Sequence, residues 1–347
     1  MAPTDAFVAL ELPKLTTADA LADWVGLSLD QLAYHSDLQN RFEEHGDMAV
    51  NHYHYHLKPK SSGGQRVIEA PKKRLKTIQR RILTGILNPV ASHPDTFGFV
   101  RGRNCLDGAA RHAGEQAVLC FDLKDFFPSI GYARVFGLFR YLGYPHTVAR
   151  HLSAFCTNVT PSRIVEHLRP EDRPLYKTPH LPQGAPTSPS LANLLAYTLD
   201  KRLSALARSL NANFSRYADD LAFSGDSFIA ATLVRTVPSI VEEEGFTLNT
   251  KKTRVTSASS RQSVTGIVVN QHLNIDRKTF DRLKAIIHAC GKPEDTRLND
   301  PAFCASLIGK LDWCERVNPG RGQKLKTLLS RSIDRKFGRD ETAPSKT

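Results

Sequence analysis

The 347 residues are 41% apolar and 24% charged, a balance that excludes a fibrous or disordered chain and leaves room for two or three subdomains around a sizeable core. The 47 Lys and Arg outnumber the 35 Asp and Glu to give a net +12, which favours a polyanionic partner through counterion release. Six cysteines form no CxxC pair, the N-terminal stretch shows no leader pattern and no window reaches the length of a membrane span, so the expectation is a soluble cytoplasmic protein with reduced thiols.

Residues 1–45 read as short helices, with Thr17 or Asp19 capping Ala20–Trp24 and Ser28 capping Leu29–Ala33. Asn51–Leu57 alternates with a period of two, Ser61–Gly64 is a turn signal, and Arg66–Ala70 is a second short strand, together a hairpin. His52, His54 and His56 would share one strand face, but no Cys or carboxylate accompanies them to favour a metal. Pro71–Pro89 turns helical, with Leu75, Ile78, Ile82, Leu83 and Ile86 on one face. The other face carries Lys72, Lys73, Arg74, Lys76, Arg80 and Arg81 without an acid, a run that suits phosphate better than plain solvation.

Val118–Leu123 is an apolar strand that ends in charge at Asp122. A long helix is expected over Ala192–Leu210, with Leu195, Leu199, Leu203, Leu206 and Leu210 along one side. Arg216–Ser224 reads as two strands and a tight turn around an acidic pair. Helical periodicity returns in Phe280–Ile287 and in Phe303, Leu307, Leu311 and Cys314; Arg321–Arg339 is rich in Lys and Arg, and Ala343–Thr347 is a tail.

Asp219 and Asp220 sit among apolar residues, where adjacent carboxylates repel and burial disfavours their charge. Divalent cations would offset that cost. With a third carboxylate such as Asp122, such a turn can hold two Mg²⁺ ions for in-line phosphoryl transfer. Taken alone, the pair also suits an ordinary polar turn.

Four segments carry a resemblance to the reverse transcriptases, in order, over roughly residues 50–270. They are Phe121-Asp122 through Phe127-Pro128-Ser129-Ile130, Leu181-Pro182-Gln183-Gly184 through Asn193, Tyr217-Ala218-Asp219-Asp220, and Leu248-Asn249 through Lys251-Lys252-Thr253, the last similar to a palm strand with its lysine. The resemblance implies an α+β right-hand polymerase with fingers, a ferredoxin-like palm and a helical thumb. Its divisions would be an N-terminal helical extension over 1–45, fingers over 46–118, palm over 119–262 with a fingers insertion at about 131–178, and thumb over 263–347. It implies that Asp122, Asp219 and Asp220 are the catalytic carboxylates, Asp122 and Asp219 bridging both Mg²⁺ ions. Phe127 falls at the steric gate that selects dNTPs, Gln183 at the nascent base pair, and Gly184 and Pro186 where backbones approach closely. Arg66, Lys72 and Arg74 are candidates to grip the triphosphate, and Lys252 to act near the pyrophosphate or to lie on the surface.

Two further segments resemble the retron enzymes in particular. Ser263–Asn270, with Val264, Thr265 and Gly266, is similar to the segment that meets the primer strand or structured RNA. Phe97–Asn104 resembles a segment of retron and group II intron enzymes, with Arg101 and Arg103 facing phosphate. Asn88–His93 is only a loose echo of a further retron element. Lys324, Lys326, Arg331, Arg335 and Lys336 of the thumb would hold duplex or structured RNA. The chain shows no integrase, protease or ribonuclease H pattern, and the stretch after Asn270 suits a thumb and little else. The implied activity is RNA-directed DNA synthesis from dNTPs on a cognate structured noncoding RNA, primed from a 2′-OH, giving a branched RNA-linked single-stranded DNA. A separate effector protein and antiphage defence belong to the same implication. A diversity-generating or abortive-infection reverse transcriptase, and a non-catalytic RNA-binding protein with a polymerase shell, remain open at this stage.

Overall fold

The computed structural model describes residues 10–38, 51–60 and 63–337; residues 1–9 and 39–45 of the extension, Ser61 and Ser62 of the expected turn, and the tail Ala343–Thr347 lie outside them. Thr17 caps α1 (Ala18–Val25), and Ser28 and Gln31 close a reciprocal capping box on α2 (Leu29–Ser36). β1 (Tyr53–Pro59) and β2 (Gln65–Pro71) pair antiparallel as the expected hairpin, from Tyr53↔Pro71 to Pro59↔Gln65. His54 and His56 point outward, whereas Nε2 of His52 lies 3.0 Å from the carbonyl oxygen of Tyr34. α3 (Lys73–Ile82) runs on into a π-helical turn over Leu83–Leu87 and buries Leu75, Ile78, Ile82 and Ile86 as its spacing predicts.

After the short α4 (Cys105–Ala110) comes the central strand β3 (Ala117–Asp122), followed by α5 (Tyr132–Tyr141), α6 (His146–Cys156), α7 (Ser162–Val165) and α8 (Arg173–Tyr176). Then come α9 (Ser188–Leu195), α10 (Tyr197–Ser209), β4 (Asn213–Tyr217), β5 (Asp220–Gly225), α11 (Ile229–Glu243) and β6 (Arg254–Ser257). The four strands pair antiparallel in the order β4-β5-β3-β6. Helices cross between β3 and β4 and again between β5 and β6, so this is the split β-α-β unit of a ferredoxin-like palm. A small hairpin, β7 (Ser263–Val264) and β8 (Ile267–Val268), leads to three helices, α12 (Arg277–Cys290), α13 (Pro301–Val317) and α14 (Pro319–Lys336). Among the described residues no helix is long and apolar enough to cross a membrane.

Alternation along β3 and β5 explains why both strands read as continuous apolar runs. Leu119, Phe121, Leu221 and Phe223 face the helices of the main core, with Leu199, Leu203, Leu233 and Val237. Val118 and Ala222 face the opposite way, into a second core with Val264, Ile267 and the thumb residues Leu283, Ile287, Leu307 and Leu311. A sheet covered on both faces needs apolar residues at every position.

Two expectations are corrected. The helix expected over Ala192–Leu210 is two helices that break at Ala196, whose backbone leaves helical geometry at φ −92 and ψ 5. Arg134 Nη2 donates to the Leu195 carbonyl oxygen at 2.9 Å, at the break itself. Nor is Leu248–Thr253 a strand: Leu248 makes an isolated bridge to Leu123, Thr250–Lys252 is a 3₁₀ turn, and the palm strand is the following β6.

Candidate active site

The β4–β5 hairpin closes through a two-residue loop, with Tyr217 paired to Asp220 and Ala218–Asp219 at its tip. Ala218 has φ 56, a left-handed value usually given to glycine. Across the sheet Asp122 is the direct partner of Asp220, and the Leu123 N–H donates to the Asp219 carbonyl oxygen at 2.9 Å. The end of the central strand and the hairpin tip therefore bring all three carboxylates to one end of the sheet.

The electrostatics are those of a crowded anion site. Burial first, and then the charge of Asp122, raises the Asp219 carboxyl above its ordinary value. Asp220 opens to solvent within a recess, and there loss of hydration, followed by the charges of Asp219 and Asp122, pushes its carboxyl up to about 6. Lys252 Nζ donates to Asp122 Oδ1 at 2.6 Å and offsets part of this repulsion. Among the described residues no group of three or more His, Cys, Asp or Glu side chains is gathered so as to hold a metal ion by itself. The donor set nonetheless fits a hard divalent cation, which takes carboxylate oxygens and completes its shell with water and substrate phosphates.

Behind the turn lies a buried network that sequence reading missed. Arg216, fully buried, sends Nε to Asp200 Oδ1 at 2.6 Å and Nη2 to Asp200 Oδ2 at 2.7 Å. Its Nη1 donates to Asn193 Oδ1 and to the Ala218 carbonyl oxygen, each at 3.0 Å. Asn193 Nδ2 in turn donates to the Gly98 carbonyl oxygen at 2.8 Å, and a Cβ on Gly98 would come within 2.6 Å of the Ala218 nitrogen. A charged residue directly before Tyr217, on a strand that pairs with the buried β5, was the available signal.

The residues expected to meet the nucleotide lie on the β1–β2 hairpin, after β3 and in the loop before α9. Phe127 is half-buried and packs against Phe126 and Phe99. The Gln183 carbonyl oxygen accepts from the Glu69 N–H at 2.9 Å. Gly184, at φ 135, lies so close to β2 that a Cβ would sit 2.9 Å from the Glu69 oxygen, which accounts for a glycine there. The buried Glu69 carboxylate accepts from Asn158 at 2.8 Å and Thr160 at 2.7 Å, and His180 Nε2 lies 3.0 Å from it.

Of the three triphosphate candidates, Arg66 lies near enough for its charge to act on Asp219. The other two turn away. Arg74 Nη2 donates to the Gly26 carbonyl oxygen at 2.6 Å, and Lys72 opens α3 beside His52. Part of the basic face of α3 thus holds the N-terminal helices, Arg81 stacking over Trp24 as well. A further cation on the hairpin, which the motifs did not flag, is Lys60, whose Nζ is 2.8 Å from Asp125 Oδ1 and 3.9 Å from Asp172.

The expected nucleic-acid contacts divide in the same way. Arg101 is exposed, but Arg103 spends its guanidinium on the carbonyl oxygens of His93, Pro94 and Thr96, at 2.8, 3.1 and 2.9 Å, and so braces the loop instead of facing phosphate. Val264 is buried in the second core, so its side chain packs. Thr265 and Gly266 form the β7–β8 turn at φ 48 and 82. With Asp220, Tyr217 and Arg254 they line a cleft of about 100 Å³ beside the Ala218–Asp219 turn. Lys324 and Arg331 are exposed on α14, whereas Lys326 is engaged by Asp312 at 2.7 Å and Glu315 at 2.6 Å.

The family model for the reverse transcriptase (RNA-dependent DNA polymerase) matches residues 58–276. The Retron Mx65 reverse transcriptase of Myxococcus xanthus is 39% identical over 320 residues, covering 90% of this chain and 71% of that protein. The Retron Ec86 reverse transcriptase of Escherichia coli is 33% identical over 286 residues, 81% of each chain. Among solved structures, a telomerase from Candida albicans aligns with a TM-score of 0.48 at 13% identity, over 83% of this chain and 56% of that one. The matched span contains the palm sheet, its three carboxylates and the β7–β8 turn, and the chain belongs to the reverse transcriptases, as an RNA-directed DNA polymerase of the bacterial retron type.

Proposed function

We propose that this enzyme copies part of a cognate structured noncoding RNA into single-stranded DNA, starting from a ribose 2′-OH of that RNA so that the product stays branched and RNA-linked. The observation that carries the catalytic part of the reading is the meeting of Asp122, Asp219 and Asp220 at one end of the palm sheet. Asp122 and Asp219 would hold a pair of Mg²⁺ ions, with Asp220 beside them; when bound, these lower the pKa of the attacking hydroxyl and neutralise the triphosphate.

The chain's own groups supply the rest. Arg66 and Lys60 would meet the triphosphate, and Phe127 would exclude a ribose 2′-OH from the incoming nucleotide. Gln183, held to β2 through its backbone, would pack against the nascent pair. Lys252, on Asp122, would sit within reach of the pyrophosphate as it leaves. The exposed Lys324, Arg331 and Arg101 suit the phosphates of a structured RNA and its hybrid. A separate effector protein and a role in antiphage defence complete the proposal and rest on the retron relationship alone.

The test is the nucleic acid that copurifies with the protein expressed from its own locus, digested separately with RNase and DNase, beside an Asp219→Asn, Asp220→Asn control. DNA covalently joined to RNA, absent from the control, supports the reading. RNA alone in both samples rejects the branched product.

A further inference from the structure

We propose that Phe99 is a stacking contact for the template base at the growing end of the hybrid, a role that goes with no motif of the catalytic centre. This rests on the reading of the Asp219 turn as the polymerising centre.

Three observations converge on Phe99. It is 53% exposed, one of seven large aromatic side chains left open to solvent among the described residues. Its ring centroid lies 6.2 Å from that of Phe127, at the nucleotide side, and 6.3 Å from that of Tyr217, at the catalytic turn. Its backbone stands at φ 60, a strained value for a bulky residue. Strain of this kind persists only where the surroundings over-determine it, and it clusters at sites that touch ligands.

The surroundings do over-determine it. On one side the Phe97 N–H donates to the Arg216 carbonyl oxygen at 2.8 Å, and the Gly98 carbonyl oxygen accepts from Asn193 at 2.8 Å. On the other, the Arg103 N–H closes a turn onto the Val100 carbonyl oxygen at 3.2 Å, while its side chain holds three carbonyls upstream. The backbone is fixed from both ends and the ring is left open. A fixed, solvent-facing ring beside the catalytic turn presents a face that water cannot use well and a nucleobase can. Stacking accepts any base, so such a contact holds the template in register without selecting sequence. An unpaired template base at the growing end has one face free to take it.

The full chain is bound to an RNA template–DNA primer hybrid carrying 2-aminopurine as the first unpaired template base, and its emission is compared among wild type, Phe99→Ala and Phe99→Trp. Because the ring is exposed, Phe99→Ala is expected to melt with the wild type. Stacking predicts that emission falls on binding to wild type, that Phe99→Ala loses most of this fall and extends about tenfold less efficiently, and that Phe99→Trp recovers both. An unchanged emission response in Phe99→Ala overturns the proposal, whatever happens to extension, as does a wild type that leaves the emission unaltered. The emission readout needs no synthesis, so a wild type that binds but fails to extend counts against the polymerising centre and leaves the stacking comparison decisive.

Discussion

Arg216 and Asp200 meet side-on, two nitrogens to two oxygens at 2.6 and 2.7 Å, with neither side chain exposed to solvent. The same guanidinium reaches the Ala218 carbonyl oxygen, so the conformation of the Ala218–Asp219 turn depends on an ion pair outside it. Asp200→Ala leaves a buried cation unpaired and is expected to cost about 3–5 kcal/mol in urea unfolding. Arg216→Lys keeps the charge but loses the planar fork. It should lower the rate of DNA synthesis more than it lowers RNA affinity. Equal losses in both would show that the pair supports the fold without shaping the turn.

Asp219 is costly where it stands, since burial and Asp122 both oppose its charge. Asp219→Asn should therefore stabilise the metal-free protein, by about 1 kcal/mol, while reducing synthesis on the order of a thousandfold. Wild type should also gain thermal stability on titration with Mg²⁺, and the variant much less. A variant that responds to Mg²⁺ as wild type does would remove Asp219 from the ligand set.

His112 is fully buried, with Nδ1 2.8 Å from Ser224 Oγ and Nε2 2.7 Å from Ser215 Oγ. Burial, and secondarily Arg111, holds its pKa down to about 3. Between that value and the unfolded value near 6.5 the unfolded chain binds the extra proton, so stability falls as pH drops through this window. At pH 5 this one group is expected to have cost about 2 kcal/mol relative to neutral pH. Urea unfolding of wild type and His112→Gln at pH 7 and pH 5 measures it. Parallel losses in the two proteins would assign the acid sensitivity elsewhere.

Gly184→Ala places a methyl group 2.9 Å from the Glu69 carbonyl oxygen and forces a left-handed backbone on alanine. Strain of about 1–3 kcal/mol is expected. It falls on the junction between β2 and the Gln183 loop, so KM for dNTP should rise several-fold with RNA affinity unchanged. Steady-state kinetics with a nucleotide titration distinguish this from a general loss of folded enzyme, which would lower kcat alone.

Much of the palm was legible because its chemistry fixes residue types in a set order: Asp122 at a strand end, Asp219 and Asp220 at a turn, Gly184 at a close approach. Helix caps such as Thr17 and Ser28 were legible because a cap is local. What sequence could not offer was partnership at a distance. Arg216 finds Asp200 16 residues away, Lys60 finds Asp125 at 65, and His180 finds Glu69 at 111. A positive charge also reads the same whether it will meet phosphate, carbonyl or carboxylate. Arg103, Arg74 and Lys326 were therefore grouped with Arg101 and Lys324, and geometry alone separated them.

Lys60 sits at the tip of the β1–β2 hairpin and rests on Asp125, with Asp172 close behind. A negatively charged group that reaches this lysine must displace a carboxylate already in place. Arrival there is a competition between two anions for one cation, and the displaced carboxylate stays tethered nearby. Such a competition favours a more highly charged anion over a less charged one. Selection among nucleotides by the number of their phosphates would then begin before the base is read.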